Sequence, residues 1–486
     1  MNKPKNLALK LDGNEPFSLL LAAICIYLTL APVWRPGIAP RSYDDARYLE
    51  LGMLLFVMLW SCSAGVANGI SGAWLSLGAK TRMLIVILLA GGTLSALVSK
   101  APNLGLLEVA LTAQLIMLFG VIACVVREGK APIEAALAIS IFAGAGLCTL
   151  QFWVVYISYA FEGKLFPWIS PFLEFANVRF FSQYQAYALF PVVIPLLMPT
   201  FRTRWRTLFF FVAVNFWALH WMVGTRAAWI GVLVAMTVVP LLMRHGKLSW
   251  LRWHAAAIFG GALIYAIFSY SVSVRTDLTP VPGLESIEQR DQGSIDERIA
   301  LARIAVDATL QHPLLGTGPG QFGLQNYAIN AAHPHNVLLQ LWAEYGLIAG
   351  TAGISLGLLL LVYSMRTLMN FSARPPDAVG ASLIAGLLTG VTDSMFSGNL
   401  IMPQSQILFF VIGGWIVGRS LPPQPAIYAE ATAYRLRRLG ILATGVLAAG
   451  VTTSLALEYL PLARELPAWL PRWNPHFWQY GRVYNW

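Results

Sequence analysis

Two histidines stand just before an apolar segment that starts at Val337. The surrounding chain is strongly apolar, so a titratable pair at this place is a candidate for chemistry. A neutral imidazole can accept a hydroxyl proton near pH 7, which makes His335 a candidate general base. Metal binding is the alternative, but His333 and His335 lack the His-Glu-x-x-His spacing, and the proline between them does not suit chelation from one helix face. We therefore expect no metal and no other cofactor.

Three arginines could complete such a site. Arg179 precedes an apolar segment, Arg226 lies between two, and Arg298 lies in a helical pattern. Arginine offers fixed, bidentate charge to phosphate oxygens, so these residues together with His335 predict a site for a diphosphate substrate and a hydroxyl acceptor. Arg179 also suits an interfacial arginine in an aromatic belt, and Arg298 could instead pair with a neighbouring acid. Three acids are alternative bases or partners: Asp291, Asp296 and Glu297.

The composition indicates which elements position these residues. Of 486 residues, 57% are hydrophobic and 12% charged, and the mean hydropathy is +0.63; soluble domains are about 25% charged. This predicts an all-α polytopic membrane bundle in one domain. Thirteen apolar runs are long enough to cross a bilayer, and because only Gly224 to Arg226 separates two of them, twelve spans are also possible. The runs begin near Phe17, Leu49, Met83, Leu104, Ile133, Gln185, Leu208, Trp229, Ala255, Gly346, Ala378, Gln404 and Leu439.

Charge indicates the orientation of this bundle. With a cytoplasmic N-terminus, the predicted inner segments hold 19 of the 33 basic residues and only six acidic ones. This is the distribution that the positive-inside rule requires, and it places His335 and the three arginines outside the cytoplasm. The excess of basic residues thus reflects orientation and argues against nucleic-acid binding.

The chain divides into a short N-terminus, two groups of spans, a long outer loop and a tail. The predicted segments are 1–16 (cytoplasmic), 17–274 (transmembrane), 275–336 (periplasmic active-site loop), 337–457 (transmembrane) and 458–486 (periplasmic tail). In the long loop, an irregular stretch should precede a short amphipathic helix from about Asp296 to Gln311. Its predicted signals are a capping box formed by Ser294 with Glu297 and an apolar stripe between Ile295 and Leu310.

A glycine-rich turn from Gly316 to Gly320 follows this helix. No strand precedes the turn and no lysine follows it in P-loop position, so we expect no nucleotide there. The glycines should instead let the backbone come close to the membrane or the substrate. Elsewhere, no Gly-x-Ser-x-Gly elbow points to a serine hydrolase. The four cysteines lie in apolar runs and are interpreted as small buried hydrophobic residues.

From about Asn177 to Gly350, the chain resembles the O-antigen ligase and polymerase superfamily of bacterial envelope glycan transferases. The resemblance is firmest in two blocks: Arg298 through His-Pro-Leu-Leu-Gly-Thr-Gly-Pro-Gly-Gln-Phe322, and His335-Asn to Glu-Tyr-Gly346. The family's essential histidine corresponds to His335, and its essential arginines to Arg226 and Arg298. Arg179-Phe-Phe-Ser-Gln183 is similar to a further motif. The family often has serine and glycine around the turn arginine, where this chain has Thr225 and Ala227.

The resemblance implies an enzyme in the bacterial inner membrane with a periplasmic active site. It would move a whole glycan from undecaprenyl diphosphate to an acceptor hydroxyl by an inverting, metal-independent step. Catalysis would fall to His335, Arg226 and Arg298. Substrate binding would fall to five further residues: Arg179, Gln183, His333, Asn336 and Glu344.

The acceptor is open between three possibilities: lipid A core, which we favour, a protein such as pilin, and a growing carrier-linked glycan. A flippase for lipid-linked glycans is the alternative from another class. Transporters tend to carry charges at mid-membrane and to show internal repeats, whereas here the polar groups gather at one rim.

Overall fold

The protein is a bundle of α-helices, with no strand among the residues that the structure describes. The structure is a computed structural model, and it describes residues 15–39, 42–162, 170–175, 178–201, 203–276, 284–325, 331–370, 377–421, 439–440, 442–455 and 457. The helices are α1 (Glu15–Leu30), α2 (Ser42–Ser61), α3 (Ala64–Ser76), α4 (Ala79–Val98), α5 (Pro102–Phe161), α6 (Val178–Ala188), α7 (Ile194–Leu197), α8 (Arg206–Val223), α9 (Arg226–Leu242), α10 (Lys247–Thr276), α11 (Leu284–Gln311), α12 (Val337–Asn370), α13 (Ala378–Ser394), α14 (Pro403–Ser420) and α15 (Leu442–Leu455).

The predicted apolar runs coincide with these helices. Six helical segments are long and apolar enough to cross a membrane: α4, two consecutive parts of α5, and the regions of α8, α10 and α12. Two bent pairs, α2 with α3 and α6 with α7, bring this number to as many as eight if each pair is one span. The other runs correspond to four shorter apolar helices, α1, α9, α13 and α15, and to α14. The prediction of a polytopic helical membrane protein is therefore confirmed.

The directions of α8, α9 and α10 show that the chain reverses at the Gly224 to Arg226 break. Phe210 and Trp221 of α8 contact Trp253 and Ile258 of α10 in the same chain order, so α8 and α10 run parallel. Because α9 connects them, it has to return across the bundle. The sequence left twelve or thirteen spans open, and the number of spans stays a prediction, since α9 is one of the shorter apolar helices.

Polar contacts mark two opposite ends of the bundle. At one end, Arg419 of α14 forms ion pairs with Glu134 of α5 and Asp377 at the start of α13. At the other end of α13, Asp393 accepts a hydrogen bond from Thr225. The two aspartates are sixteen residues apart on one helix, which is about 24 Å of rise. Residues that the sequence assigned to opposite sides of a membrane thus lie at opposite ends of the bundle.

The long loop is more helical than predicted. Helix α10 runs to Thr276, and α11 begins at Leu284, so the irregular stretch that the sequence predicted is mostly helix. Ser294 lies inside α11, and the predicted capping box is therefore wrong. The polar residues that follow Leu284 suggested a loop, but glutamate, glutamine and arginine are good helix formers.

Several residues of the predicted apolar stripe of α11 lie on the side that faces away from the protein. The residues of α11 that are buried against the protein are Leu301, Ala305 and Ala308. Ile299 and Leu310 of the predicted stripe are exposed, because α11 has two apolar faces and the other one packs inward. The N-terminal residues 1–14 and the tail 458–486 lie outside the described residues, and the segment boundaries stay a prediction.

Candidate active site

His335 lies in the loop that leads into α12. Its φ angle is 55°, and it is the one non-glycine residue with a left-handed backbone among those described. In this conformation its N–H donates a hydrogen bond to Nδ1 of His333 at 3.2 Å, and the two rings meet edge to face with centroids 4.3 Å apart. Left-handed residues other than glycine are uncommon and cluster at functional sites, so this backbone marks the His335 loop as a candidate for one.

His333 is buried below His335 and packs against the loop after α13. Its ring lies against Gly398, where an added Cβ would come within 2.3 Å of Nε2. The ring is therefore held in place while its Nδ1 supports the backbone of His335. This is a positioning contact; the substrate-binding role predicted for His333 stays a prediction.

Asn336 begins α12. Its Oδ1 accepts hydrogen bonds from the N–H groups of Leu338 and Leu339, both at 3.0 Å, as an N-cap residue does. Its Nδ2 donates to the carbonyl oxygen of Met395 at 3.1 Å. Both ends of the amide thus fix the His335 loop against the α13–α14 connection.

Arg298 and Arg179 surround this histidine with positive charge. Both side chains are exposed, whereas His335 is half-buried. Burial lowers the pKa of His335 to about 4, and the charges of Arg298 and then Arg179 act in the same direction. The imidazole is therefore neutral at pH 7. Arg298 forms no ion pair with Asp296 or Glu297 in the described structure, so its alternative role as a partner of these acids is not observed.

Arg226 is the first residue of α9 and is exposed. Thr225 before it caps the helix, with Oγ1 accepting from the N–H of Ala228 at 3.3 Å. The N–H of Thr225 donates to Oγ of Ser182 at 2.9 Å, which ties the turn to α6. The threonine that replaces the family's usual serine therefore supplies the hydroxyl that the turn needs.

Asp393 links the turn of Arg226 to the rest of the site. It is fully buried, and its carboxylate accepts hydrogen bonds from Thr225 Oγ1 at 3.3 Å, Ser397 Oγ at 2.6 Å and Asn399 Nδ2 at 2.9 Å. Arg298 lies within electrostatic range of the same carboxylate. Asp393 is not among the residues predicted from the sequence, although an acid in an otherwise apolar helix was a signal for it.

A second missed residue shapes the same turn. His220 is fully buried in the last turn of α8, with Nδ1 3.3 Å from Oε1 of Gln185 on α6. Its carbonyl oxygen accepts from the N–H of Gly224 at 2.7 Å, and its ring fills the space where any side chain of Gly224 would lie. His220 thus sets the path of the chain into Thr225.

Helix α6 presents three residues in i, i+4 steps toward the site. Arg179 lies at its first turn, Gln183 one turn further, and Tyr187 beyond it, where its hydroxyl donates to Asn399 Oδ1 at 3.5 Å. Gln183 is buried, and its Oε1 has no hydrogen-bond partner within the described part of the chain. A buried acceptor without a partner between two site residues suits a substrate group.

Glu344 has a different setting from the arginines. Its Oε1 accepts from the N–H of Phe322 at 3.1 Å, and its carbonyl oxygen accepts from the N–H of Gly318 at 3.1 Å. It therefore holds the glycine-rich turn against α12, about 10 Å along that helix from Val337. The contacts of Glu344 are those of a residue that supports this turn, and the substrate-binding role predicted for it stays a prediction.

Glycines of this turn lie against other parts of the protein, and an approach of the turn to membrane or substrate stays a prediction. Gly316, at φ 72°, faces the carbonyl group of Glu344, and Gly320, at φ 71°, faces the side chain of Glu108. Gly346 breaks α12 at φ 73°, and the carbonyl oxygen of Leu314 occupies the place of a Cβ. The two sequence blocks of the family resemblance are thus one interlocked backbone structure.

Within the described residues, no three histidine, cysteine, aspartate or glutamate side chains come together as a metal site needs. All four cysteines are free; Cys124 and Cys148 are buried, and Cys25 and Cys62 are half-buried.

The fold and this site define a class of protein: a multi-pass helical membrane protein with a neutral histidine and exposed arginines gathered at one end. A family model described as O-antigen ligase matches residues 209–354, which include Arg226, Arg298 and His335. The match covers under a third of the chain and supports the O-antigen ligase superfamily. The resemblance to this superfamily that the sequence indicated is therefore confirmed. No curated protein matches the chain.

This family consists of membrane glycosyl ligases and polymerases, which supports an enzyme. It implies a lipid-linked glycan and an acceptor as substrates within a membrane. Arg179 and Asp393 lie outside the matched segment.

Proposed function

We propose that this protein transfers a whole glycan from undecaprenyl diphosphate to an acceptor hydroxyl, with lipid A core as the favoured acceptor. The observation that carries the proposal is His335, held neutral and in a left-handed backbone beside two exposed arginines. A neutral imidazole can accept the proton of a hydroxyl, and exposed guanidinium groups can bind the oxygens of a diphosphate.

The arginines would bind the diphosphate of the donor. Arg298 and Arg179 are close enough to His335 for their charges to lower its pKa, and Arg226 is joined to the same region through Thr225 and Asp393. As the bond to the sugar breaks, negative charge grows on the leaving diphosphate, and fixed guanidinium groups stabilise that charge.

Donor binding would also prepare the base. An anion between the arginines offsets the positive charge that lowers the pKa of His335, so the pKa rises when the donor is bound. A histidine that is a weak base in the free protein thus becomes a stronger base in the complex with the donor.

The step itself would be one displacement. The acceptor oxygen attacks the anomeric carbon as its proton passes to an imidazole nitrogen of His335. The bond between the anomeric carbon and the diphosphate oxygen breaks, and undecaprenyl diphosphate leaves with the bonding electrons. Attack opposite the leaving group inverts the anomeric configuration, and no metal takes part.

We place the site in the periplasm, with the N-terminus in the cytoplasm and the protein in the bacterial inner membrane. Support comes from the positive-inside distribution together with the two ends of the bundle. Arg419 and its acidic partners lie at the predicted cytoplasmic end, and Asp393 lies at the other.

The test is transfer by purified protein in lipid nanodiscs, with a lipid-linked glycan donor. His335→Asn should retain donor binding and lose turnover, whereas Arg298→Gln should weaken donor binding. His312→Asn is the matched control for the first variant, because His312 is exposed in the same loop. Arg204→Gln controls the second, since Arg204 is exposed at the other end of the bundle. Full turnover by His335→Asn would overturn the assignment of the base.

The acceptor is tested in the native host. Deletion of the gene should remove the glycan from lipopolysaccharide if lipid A core is the acceptor. Loss from pilin, or a shortened carrier-linked chain, would instead identify an oligosaccharyltransferase or a polymerase. Intact glycans on all three, together with failure of the lipid-linked donor to reach the periplasm, would indicate a flippase.

A further inference from the structure

Helix α11 has two apolar faces on opposite sides. One face packs on the protein, where Leu301, Ala305 and Ala308 form a buried cluster with Phe322 and Ala343. Leu301 is only 1% exposed. This contact anchors α11 to the start of α12, and it leaves the opposite side of the helix facing outward.

The outward face carries Ile299, Val306 and Leu310, which are 47%, 44% and 72% exposed. Their spacings of seven and four residues place them on one strip of a helix with 3.6 residues per turn. An isolated exposed apolar residue needs no explanation, but a strip along three turns marks a surface that something covers. We call Ile299, Val306, Leu310 and the following Leu314 the outer strip.

The outer strip continues into the part of the bundle that faces lipid. Leu314 is 66% exposed, and its carbonyl oxygen lies against Gly346 of α12. Beside it, the N–H of Leu347 donates to the carbonyl oxygen of Pro313 at 2.8 Å. Leu347 and Ile348 are themselves exposed on the apolar helix α12, so the end of α11 meets the edge of a membrane-crossing helix.

One basic residue, together with the acidic Asp307, lies beside the strip and can reach a lipid surface. Arg303 is exposed and lies four residues after Ile299 and three before Val306, at the border of the strip. An amphipathic helix that lies in a membrane surface places apolar side chains below the head groups and basic ones at the phosphates. A long arginine side chain can reach a phosphate from this border.

We propose that α11 is a membrane-surface helix whose outer strip is inserted in the leaflet on the side of the candidate site, with Arg303 at the lipid phosphates. The proposal concerns α11 alone and does not depend on the transfer reaction. It has one consequence for the site: Arg298 is carried on the same helix, so the membrane surface sets the depth at which its guanidinium lies.

The experiment places an environment-sensitive fluorophore on single cysteines of the full chain in lipid nanodiscs. Val306→Cys and Leu310→Cys lie on the outer strip, and Asp307→Cys is the matched control, since it is exposed on the same helix beside the strip. The four native cysteines are first replaced by alanine: Cys25, Cys62, Cys124 and Cys148. Size-exclusion chromatography confirms that each variant stays folded.

Brominated acyl chains should quench the label at Val306→Cys and Leu310→Cys about twofold more strongly than at Asp307→Cys. Aqueous iodide should show the reverse order. If iodide quenches all three sites equally, the strip lies in water and the proposal is wrong. If neither quencher reaches the strip, protein covers it, either from a second copy or from another segment of this chain, and the proposal is also wrong.

Discussion

The left-handed backbone of His335 allows its structural and chemical roles to be separated by three substitutions at this one position. At a φ of 55°, the left-handed backbone costs a residue with a Cβ about 1–2 kcal/mol, whereas glycine has no Cβ and avoids this cost. Asparagine tolerates this conformation better than most other residues. The hydrogen bond from the N–H of residue 335 to His333 Nδ1 survives each of these changes because it uses the backbone. We therefore compare His335→Gly, His335→Asn and His335→Ala.

Stability and transfer should respond in different orders. His335→Ala should be the least stable of the three variants. His335→Gly should be about 1 kcal/mol more stable than His335→Ala, because a left-handed backbone raises the free energy of alanine but not of glycine. Transfer should fall in all three by roughly 100-fold to 10,000-fold, the usual contribution of a positioned general base. The expected separation is thus a stable glycine variant that does not turn over.

Thermal denaturation followed by size-exclusion chromatography measures stability, and turnover with a saturating lipid-linked donor measures transfer. Added imidazole gives a sharper test, because it should partly restore turnover in His335→Gly, where the side-chain space is vacant, and restore less in His335→Asn. Two results refute the reasoning. Substantial turnover by His335→Asn rules out the base, and a glycine variant less stable than the alanine variant rules out the backbone argument.

Three other predictions test the remaining parts of the site. Thr225→Val removes the hydroxyl that caps α9 and donates to Asp393, so the rate of transfer should fall at least about tenfold. Thr225→Ser keeps a hydroxyl at this position and should retain most of the transfer activity. Equal activities of the two variants would argue against a role for this hydroxyl. The pKa of His335 is about 4 in the free protein and should rise when the donor binds. The acid limb of the pH profile of kcat should therefore lie at higher pH than the acid limb of kcat/KM. Coincident limbs would contradict this coupling between donor binding and the pKa. Gly346→Ala should destabilise the protein by about 2 kcal/mol or more in thermal denaturation, because φ is 73° and a carbonyl oxygen occupies the Cβ position. Gly357→Ala in the same helix is the control, since its Cβ would lie in open space and stability should change little. Similar stabilities of the two variants would show that the break in α12 is not required.

Much of the architecture could be predicted because a bilayer restricts what a chain can do. Backbone polar groups must be satisfied within the membrane, so long apolar runs are helices, and the thirteen runs agree with the helices found. Charge in short loops predicted the two ends of the bundle, and the contacts of Arg419 and Thr225 separate the same groups of residues.

The loop was harder to predict, since the signals that mark a helix end act over only a few residues. Ser294 with Glu297 has capping-box spacing, but this signal lies inside α11 because the preceding residues also favour a helix. The two apolar faces of α11 could not be told apart by periodicity, because a stripe shows amphipathicity without showing which side meets protein. Leu301 on one face and Leu310 on the other are the same residue type in different surroundings.

His335 shows what the sequence determines and what the tertiary structure determines. The sequence by itself determined that His335 is a titratable group at the edge of an apolar helix and that arginines accompany it, because residue type and spacing along the chain are local properties. Only the tertiary structure decided that Arg179 and Arg298 act on His335, that Asp393 joins the turn of Arg226 to this site, and that Glu344 supports the glycine-rich turn. Electrostatic and hydrogen-bond partners depend on distance in space, and α6, α9, α11 and α13 come together only through packing.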